Sequence, residues 1–437
     1  MFYIFLSILI LSSVIRLSLE QTLWFNYSFL FYFIIFLIFS KKVNHFGLGA
    51  MVLYYIAAIS FGYPIAFLIE PNITSDRLIR SKNLYGVYFD KYIALSILAL
   101  SSYILGQFVR IRSDRSLTKQ VFNLQGNSGL ELDNSTNYYY QFGCTLIWLY
   151  SIYMGVSWIT GNIPTEYLSY KEWSGNQVQN YLKIFYWFGT IFVMSSATKK
   201  QIIKISFIFL IPTIILLATG NRNDVLYPVL IGIGIYVHRF KKVPIKLLIS
   251  TLIFLLFVSP IIASTRSTGI NLETDYSIAE LMANGIMELG GQIPSVSNMF
   301  SWIENGESFA FGGTYFFATI ALFFGSINPQ LRELYFLSRY SIESRLPTLA
   351  FTMSAELYYN FASVGVILFY FMISSYVRRK DKLTLSTNDL VRYSFNMFLL
   401  LHLVRNQFYF SAIYIVLFYL LYFLEKQIRH FLTRSKN

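Results

Sequence analysis

The sequence predicts an all-α polytopic membrane protein with about 12 spanning helices, and three observations carry that prediction. Hydrophobic residues make up 55% of the 437 and charged residues only 13%, a balance outside that of ordinary soluble domains. The apolar residues gather into stretches close to the ~20 residues at which a helix crosses a hydrocarbon core of roughly 30 Å with its backbone polar groups satisfied internally. Basic residues cluster at alternate ends of those stretches, as the positive-inside rule requires.

The spans fall at residues 2–19, 23–40, 46–69, 92–109, 138–160, 181–198, 205–219, 225–238, 247–264, 348–377, 390–404 and 408–425. The chain therefore divides into residues 1–264 with nine spans, a large external loop at 265–347, and residues 348–437 with three more spans and a tail, all one integral membrane domain. The first segment lacks a basic n-region and a small-residue cleavage site, so it is expected to stay as an anchor. The one cysteine, Cys144, lies in the fifth span, which excludes a disulfide framework and a thiolate metal site. Residues 113–137, rich in Asn, Gly and Ser, read as a linker.

Charge orients the bundle. With the amino terminus cytoplasmic, the inner loops and tail hold the basic groups at 41–42, 110–119, 199–204, 239–246, 378–392 and 426–436, well over half of the 35 basic residues. Both termini then lie inside. The net charge of +13 is a topology signal, not a nucleic-acid footprint.

On the outer face basic residues are few, and four arginines stand at the rims of spans. Arg222 lies in the polar turn Thr219-Gly220-Asn221-Arg222-Asn223-Asp224, Arg266 follows the ninth span, Arg345 precedes the tenth, and Arg405 stands between the last two beside Asn406. Arginine suits a membrane-level phosphate or carboxylate, because its planar fork binds bidentately and stays charged when desolvated. The blander alternative is snorkelling to lipid headgroups or pairing with helix-end carbonyls.

Carboxylates supply the other half of a site. Glu356 lies about nine residues, roughly 13 Å, into the tenth span, and an ionisable side chain at that depth faces a cavity or a partner. Asn360 follows one turn on, on the same face; a structural pair of Glu356 with Arg345 or Arg405 is the alternative. Glu280 and Glu288 share one side of a helix if their stretch is helical. Solvation explains Glu280, whereas Glu288, before Gly290-Gly291 and Pro294, marks a helix end near the site. Within the loop, residues 315–327 are too short an apolar run to cross and suit a re-entrant or interfacial helix. Residues 331–344 follow as an amphipathic stretch holding Arg332 and Arg339. Such a loop lies on the membrane and caps a cavity for a lipid-linked, water-soluble headgroup.

The ordered set Thr-Gly-Asn-Arg at 219–222, Arg266, Glu288-Leu-Gly-Gly, Gly-Thr-Tyr at 313–315, the stretch from Ala355-Glu356 through Asn360 to Gly365, and Arg405-Asn-Gln-Phe408 resembles the Wzy-type O-antigen and oligosaccharide repeat unit polymerases. The motifs all lie after residue 215. Ala362 departs from the family pattern, standing where a glycine often follows Asn-Phe, and Gln407 stands where an acid is common. The resemblance implies a GT-C-like glycosyltransferase of the bacterial inner membrane with its active site on the outer face. Donor and acceptor would both be glycans on undecaprenyl diphosphate, and the growing chain would move en bloc onto a single repeat unit to build O-antigen or capsule. Under that reading Arg222, Arg266 and Arg405 bind diphosphate, with Arg345 a further candidate, and Glu356 or Glu288 is the base. Asn360, His402 and Asn406 support them.

No acidic pair with metal-ligand spacing stands near these arginines, so no metal or other cofactor is expected. Membrane lipids and a separate chain-length regulator are the further partners expected, and nucleic acid is not. An O-antigen ligase shares the architecture but uses a histidine in its large external loop, and His45, His238, His402 and His430 all lie outside that loop. His402 comes nearest, one turn before Arg405. A lipid-linked oligosaccharide flippase would have short loops on both sides, which the long external loop opposes.

Overall fold

The computed structural model describes residues 10–11, 13–14, 47–69, 88–108, 134–164, 173, 177–219, 222–240, 277–289, 293–325, 327–346, 351–382, 385–406 and 408–434. Most of the expected span 2–19, all of 23–40 and 247–264, Arg266, and most of the linker at 113–137 lie outside them. Among the described residues the secondary structure is helical: α1 Leu48–Ile69, α2 Phe89–Phe108, α3 Asn134–Ile159, α4 Gln177–Ser196, α5 Lys199–Ala218 and α6 Arg222–Phe240. The stretch expected to form the loop at 265–347 contributes α7 Ile278–Leu289, α8 Ile293–Glu304, α9 Gly313–Phe324, α10 Pro329–Leu337 and α11 Ile342–Arg345. The last three helices are α12 Met353–Lys382, α13 Thr387–Arg405 and α14 Phe408–Arg434. Phe89–Gln107, Asn137–Ile159, Lys199–Ala218, Met353–Asp381 and Ser411–Ile428 are long and apolar enough to cross a membrane, and Leu48–Gly62, Leu182–Ser196 and Gly313–Phe324 are shorter apolar helices.

Helices outrun the apolar stretches that announce them, because hydropathy marks only the part immersed in lipid. The seventh span, expected at 205–219, begins at Lys199 because a capping box starts it there. Gln201 donates its N–H to Thr198 Oγ1 at 3.4 Å and Thr198 donates its N–H to Gln201 Oε1 at 2.8 Å, which satisfies two of the first-turn donors. At the far end of α4, Arg239 from α6 donates to the carbonyls of Met194 at 2.9 Å and Ala197 at 2.6 Å. Those are groups the helix leaves without intrahelical partners.

The structure adds three features to the loop. The amphipathic stretch 331–344 is two helices, α10 and α11, parted by the turn at Ser338–Ser341. Helix α8 has no counterpart in the sequence reading, which took Pro294 as a helix stop. Pro294 sits in the first turn of α8, where a missing N–H costs nothing. Glu280, read as a solvated surface acid, caps α7: Ser277 donates its N–H to Glu280 Oε2 at 2.9 Å and Glu280 returns its own N–H to Ser277 Oγ at 3.2 Å.

Packing gathers α1, α4, α6, α12, α13 and α14 around one region. Helices α3 and α4 approach through facing glycines, since a Cβ on Gly143 would fall 2.9 Å from the Gly189 carbonyl oxygen and one on Gly189 would fall 2.8 Å from that of Gly143. Backbones meet this closely in membranes through small residues. Aromatic rings fill the bundle where α4, α13 and α14 meet, with Phe395 stacked on Phe418 and Phe188 edge-on to both. Loop helix α7 lies along α1, and α9 packs against α10 and α14.

Candidate functional site

The site begins with a break in α12. Phe361 and Ala362 leave helical geometry, with Ala362 at φ 52° and ψ −154°, so carbonyls on the preceding turn are free for partners outside the helix. The Tyr359 carbonyl accepts from Ala310 N–H at 2.9 Å and the Asn360 carbonyl from Phe311 N–H at 3.0 Å. The loop 305–312 is thereby fastened to the broken helix. It turns into α9 at Gly312, whose φ of 86° is readily adopted only by glycine.

Glu356 and Asn360, 1% and 0% exposed, lie on the segment before the break and meet the start of α9. Gly312 N–H donates to Asn360 Oδ1 at 2.9 Å, which turns the amide so that Nδ2 donates to Thr314 Oγ1 at 2.7 Å. Thr314, having accepted there, gives its own proton to Glu356 Oε1 at 3.0 Å. The other carboxylate oxygen accepts from Phe408 N–H at 2.8 Å. A backbone N–H can only donate, so Oε2 accepts there, and with Thr314 donating to Oε1 both oxygens of Glu356 act as acceptors. That arrangement suits the ionised carboxylate, the form a general base needs. Among the described residues no cation lies within ion-pair distance of Glu356, and the alternative of a structural pair with Arg345 or Arg405 is not what the geometry shows.

The link between α13 and α14 joins this seat to a second cluster. Asn406 donates to Tyr227 Oη at 3.2 Å and to the His402 carbonyl at 3.1 Å. Tyr55 Oη lies 3.5 Å from Tyr227 Oη, and the charge of Arg405 lies near the Tyr55 hydroxyl. His402 is buried, with Nδ1 2.8 Å from Ser411 Oγ and its ring edge-on to Tyr414 at 4.7 Å. The first turn of α6 is held nearby: Trp187 Nε1–H donates to the Asp224 carbonyl at 3.0 Å, and Lys183 Nζ stands 3.9 Å from the Asp224 carboxylate. Arg222 opens α6 and Glu288 is the next-to-last residue of α7; their side chains lie outside the described residues.

Arg345 is engaged elsewhere. Its fork grips Glu307 through Nη1 at 2.9 Å and Nη2 at 2.8 Å, and its guanidinium carbon lies 3.5 Å from the centre of the Trp302 ring. Burial alone would raise the Glu307 carboxyl, yet hydrogen bonds from Arg345 and Tyr359 and the charges of Arg345 and Arg339 hold it below the usual carboxylate range. Among the described residues no three His, Cys, Asp or Glu side chains converge as a metal site needs.

The structure thus brings together Glu356, Asn360, Arg405, Asn406 and His402, and leaves Arg345 on a separate contact. Sequence reasoning missed Thr314, Tyr55, Tyr227, Lys183 and Glu307 as site residues. Thr314 was visible inside the Gly-Thr-Tyr motif; the tyrosines had no signal in a chain with 34 of them.

A family model described as O-antigen polysaccharide polymerase Wzy matches residues 1–430. The chain is also similar to Protein CapE of Staphylococcus aureus, 34% identical over 189 residues, which cover 42% of this chain and 41% of CapE. The matched part is less than half of CapE's length. No solved structure matches.

Proposed function

The chain belongs to the O-antigen polysaccharide polymerase Wzy family, and on that premise we propose that it joins oligosaccharide repeat units carried on undecaprenyl diphosphate. In this reading it is a GT-C-like glycosyltransferase with 12 spans and both termini cytoplasmic, working at the outer face of the inner membrane. The donor is a growing glycan and the acceptor a single repeat unit, both on the same lipid; the product is O-antigen or capsule.

One observation carries the reading. Motifs far apart in sequence, Gly-Thr-Tyr at 313–315, Ala355-Glu356 to Asn360, and Arg405-Asn-Gln-Phe408, meet in one hydrogen-bonded seat. A hydroxyl of the acceptor sugar attacks the anomeric carbon of the donor, and the bond from that carbon to the diphosphate oxygen breaks. Glu356 takes the hydroxyl proton, an assistance worth about 10² to 10⁴ in rate; Glu288 is the second candidate. Undecaprenyl diphosphate departs with the bonding electrons, and Arg405, Arg222 and Arg266 neutralise the charge that develops on it. Asn406 and His402 hold the Arg405 link in place. Arg345, already bound to Glu307, is left out of the diphosphate set.

A chromosomal deletion complemented with wild type, Arg222→Lys or Arg405→Lys tests this. Loss of the surface-glycan ladder with one repeat still attached, restored by wild type and not by the lysine variants at normal abundance, is the expected result. Full ladders from both lysine variants would end the bidentate diphosphate argument. Long lipid-linked chains left unattached would mean a ligase, and repeat units held on the cytoplasmic side would mean a flippase.

A further inference from the structure

Glu307 and Arg345 stand 38 residues apart in sequence, at the two ends of the loop segment that contains α9 and α10. Their contact is built as a closed unit. Arg345 Nη1 also reaches the Arg339 carbonyl at 3.2 Å and Tyr359 Oη at 3.3 Å, Tyr359 Oη donates to Glu307 Oε1, and the guanidinium carbon sits over the Trp302 ring. The carboxylate takes the bidentate edge formed by Nη1 and Nη2, so a diphosphate would have to compete with Glu307 for that edge. Tyr359 is the hinge of the arrangement. Its side chain joins the ion pair and its carbonyl accepts from Ala310, one residue before Asn360, whose amide sets Thr314 and through it Glu356.

We propose that Glu307 and Arg345 form a latch that closes residues 305–312 onto α12 and so holds Thr314 and Glu356 in register; both are positioning residues, and Arg345 is not a diphosphate ligand. The proposal rests on the reading of Glu356 as the base. Opening the latch lets the 310–314 segment shift, and a misplacement of about 1 Å at a reacting group costs on the order of 100-fold in rate. Binding of the lipid-linked substrate, carried by other groups, stays intact.

The decisive variant is Glu307→Gln. If Arg345 were a ligand, removing the acid beside it would free it and leave polymerisation equal or faster. A latch predicts the opposite sign. In proteoliposomes supplied with a lipid-linked repeat unit, Glu307→Gln and Arg345→Gln should each lower kcat about tenfold or more with KM unchanged. Chymotryptic cleavage between residues 305 and 312, read by mass spectrometry, should be several-fold faster in both. Wild-type kcat in Glu307→Gln, or an unchanged cleavage rate, would overturn the latch. Should Glu307→Gln fail to accumulate in membranes, the exchanged pair Glu307→Arg with Arg345→Glu decides: it supports the latch if it recovers abundance and rate over Arg345→Glu alone, and overturns it if it does no better. Faster cleavage in preparations whose wild type does not polymerise would keep the latch and remove the polymerase reading instead.

Discussion

Glu307 and Glu356 are two carboxylates fastened to the same stretch of loop, and they are held by opposite means. Glu307 faces a guanidinium that grips both its oxygens, an arrangement whose geometry is good and whose charge is neutralised. Glu356 is more deeply buried, yet its partners are a threonine hydroxyl and a backbone N–H. Two neutral donors satisfy the oxygens without cancelling the charge. A buried acid kept in this way retains the ability to take a proton, whereas one locked to an arginine is a fold contact. Under the proposed reading, the chemistry of its donors rather than burial alone marks the catalytic acid.

The sharpest way to break the comparison is to neutralise each acid. Glu356→Gln should lower the rate of polymerisation by about 10² to 10⁴, well beyond the effect of Glu307→Gln. The glutamine can give its oxygen to Phe408 N–H and its N–H₂ to Thr314, whose hydroxyl must then turn to accept, so a stability loss of only about 1 kcal/mol is expected, measured as detergent-solubilised Tm on the same preparation. Should Glu356→Gln keep more than about a tenth of wild-type rate at normal abundance while Glu288→Gln abolishes it, the base would be Glu288 and the Thr314 seat would be structural.

A pH series sharpens the same contrast at smaller amplitude. The Glu307 carboxyl is held below its ordinary value by Arg345, Tyr359 and Arg339 against the opposing effect of burial. A depressed carboxylate contributes stability that is fully present above its unfolded pKa, about 4.3, and is lost as pH falls through the lower folded value. Hydrogen exchange across residues 305–312, corrected for the intrinsic pH dependence, should stay level from about pH 8 to 5. It should rise only below about pH 4. A rise centred near neutral pH would mean that the ion pair is not what closes the loop.

The part of this architecture legible in the sequence is the part written in short range. Apolar runs locate the spans because each helix satisfies its own backbone, and Asn360 follows Glu356 by one turn whatever surrounds them. The Thr198-x-x-Gln201 and Ser277-x-x-Glu280 boxes are equally local signals of where a helix starts. What the sequence does not carry is the identity of partners across long separations. Thr314 meets Glu356 across 42 residues and Asn406 meets Tyr227 across 179. Such pairs depend on how helices cross, which no periodicity encodes. Arg345 illustrates the cost: an arginine at a span's rim reads alike whether it awaits a phosphate or already holds Glu307.

Ala362 sits at the break in α12, and it gives the smallest of the expected effects. The residue stands where relatives in the resembling family often have glycine, and its φ of 52° with ψ of −154° falls in a region that essentially only glycine occupies without strain. The strain costs on the order of 1–3 kcal/mol, and it is imposed because the break in α12 frees the carbonyls that Ala310 and Phe311 bind. Ala362→Gly should relieve it, while the greater freedom of glycine in the unfolded chain takes back about 0.5–1 kcal/mol. The net is a gain of about 1 kcal/mol, seen as a modest rise in Tm with activity retained. Ala362→Val, β-branched and unable to reach that conformation, should fall on the other side of wild type. A lower Tm for the glycine variant would mean that the half-buried methyl contributes more through packing than the backbone loses through strain, and the break would then be an ordinary bend rather than a feature held open by the loop it binds.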